Sequence, residues 1–165
     1  MKAALHVLGI AAAALVLQTT LSRFLVRGAV GVDLVLVAVV YVSLRSGPTA
    51  GILTGSLAGL AQDALAAGIV GVGGLAKAVV GYLAGTAGRA FIVAQPMPRF
   101  LVFMAATLVE RTIAEGFHFV LEAGPYAVPI GAILAQAVGN ALVGVVAFQV
   151  VEGVPRARER RQAGK

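Results

Sequence analysis

Long uncharged apolar runs, separated by short polar or glycine/proline breaks, set the pattern of this chain. A membrane-spanning helix needs about 20 mostly apolar residues. Six runs fit, at residues 3–20, 30–44, 49–67, 72–93, 100–121 and 128–151. The second is short: it is entered at Asp33 and stopped by Arg45. The breaks carry turn chemistry: Ser46-Gly47-Pro48, the glycine corner GIVGVGG at 68–74, Gln95-Pro96-Met97-Pro98 and Glu122-Ala123-Gly124-Pro125. Residues 155–165, PRARERRQAGK, read as a polar, disordered tail. The expectation is an all-α polytopic membrane protein: one six-helix transmembrane domain over 1–154, followed by a basic cytoplasmic tail at 155–165.

Composition agrees with this. The chain is 59% hydrophobic and 12% charged, with a mean hydropathy of +0.95, against about 25% charged in globular domains. Without Cys there is no disulfide, thiolate metal site or thiol nucleophile, and without Trp the interfacial aromatics reduce to Tyr41, Tyr82, Tyr126 and several Phe. The net charge of +6 does not point to nucleic acid, because five of the thirteen basic residues fall in the last ten positions, beside an apolar run. That is the layout of a flank next to anionic lipid. The first run is longer than a signal-peptide core and no A-x-A site follows, so it is expected to be retained. With the N-terminus inside, nine basic residues lie in inside segments (Lys2, Arg45, Arg89, Arg99, Arg156, Arg158, Arg160, Arg161, Lys165) and two, Arg23 and Arg27, outside. The positive-inside rule then places both termini in the cytoplasm.

The third run reads GILTGSLAGLAQD, with Gly51, Gly55, Gly59 and Asp63 at steps of four. Each interior glycine costs a helix about 1 kcal/mol relative to Ala. In lipid, however, small residues at this spacing let helices approach closely. The fourth run answers with Lys77, Gly81 and Gly85. Asp63 lies fourteen residues past Thr49 and Lys77 twelve before Arg89, so at ~1.5 Å per residue they sit ~21 and ~18 Å from the same edge. A clasping Asp63–Lys77 salt bridge is therefore expected. In the fifth run Arg111, Glu115 and His118 share a face and Glu110 lies ~100° round the helix. This charged set should face protein or water; an internally neutralised face, a transport pathway and a metal site all fit it. Gln136, Asn140 and Gly144 again step by four, and their amides should bond a facing helix.

No catalytic constellation emerges. Ser22, Ser43, Ser46 and Ser56 have no His/Asp context, His6 and His118 are far apart, and GVGG at 71–74 lacks the surroundings of a phosphate loop. No cofactor is implied. The chain is expected not to be an enzyme.

The order of these motifs resembles the family of the bacterial rod shape-determining protein MreD. The likeness covers nearly the whole chain and is densest at LQTT (17–20) and from VDLVLVAVV (32–40) through GYLAG (81–85). Gly51, Gly55, Gly59-Leu60 and Asp63 fit a G…G…GL…D series, Gly81-Tyr82 an aromatic–glycine element, and Asp33 the Asp of a Pro-Asp pair; Val32 stands where that Pro is expected. The resemblance implies a non-enzymatic scaffold or regulatory subunit of the inner membrane, belonging to the rod-shape (elongation) complex and acting in lateral peptidoglycan synthesis. Its implied partners are a bitopic MreC-like protein, an MreB-like filament and the peptidoglycan polymerase/transpeptidase complex. Arg23, Arg27 and Asp33, on the outer side, are candidates for meeting a partner. The family is also similar in fold to the six-helix substrate-binding subunits of vitamin transporters. A solute-binding transport subunit is accordingly the alternative, and a homodimer stays open.

Overall fold

The computed structural model describes residues 9–10, 12–20, 31–66, 70–90, 95–121 and 130–163, with side chains described as far as Glu152. Their regular structure is entirely helical. Residues 12–20 form α1. Then come α2 (Leu34–Ser46), α3 (Pro48–Ala66), α4 (Val72–Ala90), α5 (Pro96–Leu121) and α6 (Ile130–Ala163). The Arg23 and Arg27 positions lie outside the described residues.

A helix that is apolar all round has no face to give to solvent, and α2 is such a helix. Val35 through Val40, Val42 and Ser43 are all buried. α3, α4, α5 and α6 pack around it, and Leu15 of α1 rests on the Val35–Val39–Ala58 cluster. The main core joins Leu36 and Val40 to Val80, Phe103, Ala141 and Phe148. At the C-terminus of α2, Gly47 takes a positive φ of 88° and returns its N–H to the Ser43 carbonyl at 2.8 Å. Only glycine adopts that conformation at little cost, and Pro48 then opens α3 at a position needing no N–H donor.

α3 and α4 form an antiparallel hairpin with backbone-to-backbone contact. A Cβ at Gly51 would fall on the Gly81 carbonyl oxygen, one at Gly55 on the Lys77 carbonyl oxygen, and one at Gly59 would come within 2.6 Å of the Gly73 carbonyl oxygen. Gly85 meets the Pro48 backbone in the same way.

Three boundaries differ most from the sequence reading. α2 starts at Leu34, not near 30, because Asp33 caps it. α5 starts at Pro96, not near 100. Pro96 and Pro98 sit in its first turn, where the missing N–H groups have no helical partner anyway. α6 does not end near 151: it runs on to Ala163, so residues 155–163 are helical rather than disordered. Arg, Glu, Gln and Ala are strong helix formers, and the single Pro155 does not stop them.

Beside the apolar core, several polar and charged side chains are buried while many large apolar ones lie on the outside. Asp33, Lys77, Glu110, Thr107, Gln136 and Asn140 are buried, while Leu53, Leu57, Leu83, Leu134, Leu142 and Val146 are exposed. Among the described residues, the stretch Ile130–Glu152 is long and apolar enough to cross a membrane alone; Leu34–Ser46 is apolar but shorter.

Candidate functional site

The site begins at the N-terminus of α2, which ends inside the bundle. Helix N-termini leave N–H groups without helical partners, and burying them unpaired is costly. Side chains from two other helices and the cap itself take them up. The Asp33 N–H donates to Asn140 Oδ1 at 2.8 Å, and the Leu34 N–H to Gln18 Oε1 at 2.6 Å. The Leu36 N–H donates to Asp33 Oδ1 at 2.9 Å. Asn140 in turn donates to Thr107 Oγ1 at 3.1 Å, which donates to the Phe103 carbonyl at 3.0 Å.

The other carboxylate oxygen of Asp33 faces Lys77. The Lys77 ammonium lies 3.0 Å from Asp33 Oδ2 and 3.0 Å from Glu110 Oε1, and all three side chains are over nine-tenths buried. Glu110 Oε2 makes no hydrogen bond; Arg111 Nε lies 3.6 Å from it and donates to Gln136 Oε1 at 2.7 Å. Two carboxylates and two cations thus close a neutral cluster across α2, α4, α5 and α6. The positive end of the α2 dipole adds to the hold on Asp33.

Register explains why these residues meet. Asp33 is twelve residues before Arg45, Lys77 twelve before Arg89, Asn140 twelve before Glu152, and Glu110 eleven after Arg99. At ~1.5 Å per residue each lies ~17–18 Å along its helix from one end of the bundle. There Glu152 binds Arg45 at 3.1 Å and Arg99 at 2.9 Å, and Arg99 stacks 3.9 Å over the Phe148 ring.

The expected Asp63–Lys77 bridge is not formed. The Asp63 carboxylate instead accepts the N–H groups of Gly71, Gly73 and Gly74 at 2.9, 3.0 and 3.3 Å, holding the start of α4. The hairpin register is the cause. Gly51 faces Gly81, Gly55 faces Lys77 and Gly59 faces Gly73, so one step further carries Asp63 past the first turn of α4. Asp33 is likewise not an outward partner-facing residue: it is 4% exposed and is the α2 cap. The charged set of α5 divides. Glu110 turns inward to Lys77, Arg111 spans to α6, and the His118 ring lies 2.9 Å from the Ala114 carbonyl. Gly144 of α6 sits under the Phe103 ring, 2.6 Å from where a Cβ would stand. Asp33 as a cap was signalled by an Asp directly before an apolar run, and its partner by the equal spacing to Arg45 and Arg89.

With the Lys77 ammonium held between two carboxylates, the cluster ties α2, α4 and α5 together. Among the described residues, no three His, Asp or Glu side chains are grouped to hold a metal ion.

The family model of the rod shape-determining protein MreD matches residues 3–150. The chain belongs to the MreD family. No curated protein and no solved structure gives a significant match. MreD membership ties the chain to rod-shape determination, in a family of membrane proteins not known as enzymes. Within this MreD-family chain the match takes in every residue of the buried cluster, from Gln18 to Asn140.

Proposed function

We propose that this MreD-family chain is a multi-pass, non-enzymatic scaffold of the bacterial inner membrane, with both termini cytoplasmic, that serves the rod-shape complex by binding MreC-type and wall-synthesis partners through its helix surfaces. The observation that carries the reading is the pairing of an apolar exterior with a polar centre closed on itself. A charge alone near the bilayer centre costs about 2.5–3.5 kcal/mol on insertion scales, and mutual neutralisation removes much of this. α2, with thirteen residues, is ~20 Å long, against ~30 Å of hydrocarbon, so it ends at mid-depth. Backbone polar groups at that depth must be satisfied by protein, as the Gln18, Asp33 and Asn140 bonds do.

Broken helices with N-termini at mid-depth also build substrate sites in transporters. Here the N–H groups at the start of α2 are taken by the chain's own side chains, which favours the scaffold over the solute-binding alternative. The test is purification in mild detergent with identification of co-purifying proteins. An MreC-like bitopic protein and wall-synthesis enzymes are expected; an energising ATPase pair in their place would overturn the proposal in favour of transport. A reporter active only outside the cytoplasm, fused after Lys165, should stay silent; strong activity would refute the topology.

A further inference from the structure

One stripe of α5 is left half-covered. Met104, Leu108, Arg111, Glu115 and His118 follow at steps of four, three, four and three, and all are half-buried. That spacing is the seam by which one helix receives another. Its two central members carry polar atoms that the bundle leaves without partners, although Arg111 also closes the Glu110 cluster through its Nε. The Arg111 side chain is 33% exposed; its Nε is engaged with Gln136, while Nη1 and Nη2 make no hydrogen bond among the described residues. Glu115, one turn on, has a buried Oε2 with no partner and forms no ion pair with Arg111. Arg111 stands twelve residues from Arg99 and ten from Leu121, so ~18 and ~15 Å from the two ends of the span. A guanidinium fork open at that depth faces hydrocarbon unless something covers it.

We infer that this seam seats a single transmembrane helix of another protein, one carrying a carboxylate opposite Arg111 and a donor (Lys, Arg or an amide) opposite Glu115. The inference rests on the scaffold reading above and names the surface that performs it. Charge complementarity selects the occupant. Lipid tails offer the fork nothing. A second copy in the same membrane shares this chain's orientation, and an isologous contact would set Arg111 against Arg111.

The test places a photo-activated cross-linking residue at Leu108 of the full chain in its native membrane, with a control at the exposed Leu83 of α4. The adduct at 108 should map to a one-span helix with an acidic residue at mid-depth, and position 83 should give none. Arg111→Glu should cut the adduct at least ~tenfold, and Arg111→Lys should retain most of it. The exchange Arg111→Glu with Glu115→Arg keeps an i, i+4 pair within α5. Because Arg111 also serves the Glu110 cluster, the adduct is scored per amount of folded protein; if the charges serve a partner, the exchange loses the adduct and reversal of the partner's carboxylate recovers it, and if they serve only this chain, that reversal recovers nothing. Reversing the partner's carboxylate to Lys should restore binding to Arg111→Glu. An adduct with lipid alone or with a second copy, equal labelling at 83, or an adduct that survives the exchange would overturn the inference. Elongation proteins that co-purify but cross-link elsewhere would sink the seam and leave the scaffold reading standing. A one-span adduct at 108 without elongation proteins would do the reverse.

Discussion

Replacing Lys77 by Met removes the cation shared by two buried carboxylates. Asp33 Oδ2 and Glu110 Oε1 each lie 3.0 Å from Nζ, so the two anions stand about 6 Å apart or less. At an effective dielectric near 20, their repulsion at that distance is about 3 kcal/mol. That falls at the lower end of the 3–5 kcal/mol typical of a buried pair broken from one side. Lys77→Met should therefore destabilise by about 3–5 kcal/mol. Adding Asp33→Asn and Glu110→Gln removes both charges while keeping amide oxygens as acceptors. The triple variant should recover most of the loss, because the two facing anions are gone and the one charge left, Arg111, is one-third exposed and keeps its bond to Gln136. Thermal unfolding in one detergent, followed by a fluorescent or chromatographic readout of folded protein, gives the comparison. A triple variant no more stable than Lys77→Met would refute the reasoning, as would a Lys77→Met protein that unfolds like the parent.

Three further outcomes follow from the geometry. Gly55→Ala should destabilise by about 1–3 kcal/mol by overpacking, since its Cβ meets the Lys77 backbone, which cannot yield without opening the hairpin; Gly116→Ala, with nothing within 4 Å, should be neutral or stabilise by up to ~1 kcal/mol in the same assay. Asp63→Ala should cost about 1–2 kcal/mol, the scale of a lost helix cap, and should leave the effect of Lys77→Met unchanged in a double-mutant cycle because the two residues do not touch. Asn140→Leu should cost about 1–3 kcal/mol, because it strands the buried Asp33 N–H while Thr107 keeps its bond to Phe103, and hydrogen exchange should rise first at the start of α2.

The positions of α2 to α5 were legible to within a few residues, because a lipid-length apolar run ended by Gly and Pro leaves few places for a helix to start or stop. The stepped glycines also carry the hairpin register, since closest backbone approach sets Gly51 against Gly81 and Gly59 against Gly73. Axial distance alone did not use that register. It placed Asp63 and Lys77 at a similar level but could not say which face each presents, and the hairpin offsets them by two turns. Lys77 finds Asp33 and Glu110 because α2 starts at mid-bundle, and that start depends on Gln18 and Asn140 from distant helices. No local pattern around Asp33 announces these partners. The extension of α6 was hidden for a different reason: charge and Pro155 read as a tail, although the residues after Pro155 have high helix propensity.

The account depends on a polar centre sealed from water and neutralised by its own partners, and cysteine accessibility tests that most directly. The chain has no Cys of its own, so a Thr107→Cys variant introduces a single thiol beside Asn140, at a position with 0% exposure. In intact membranes that thiol should resist a small membrane-impermeant maleimide applied from either side and react only after denaturation. Rapid labelling of the folded protein from one side would reveal a water-filled path to the cluster and contradict the account.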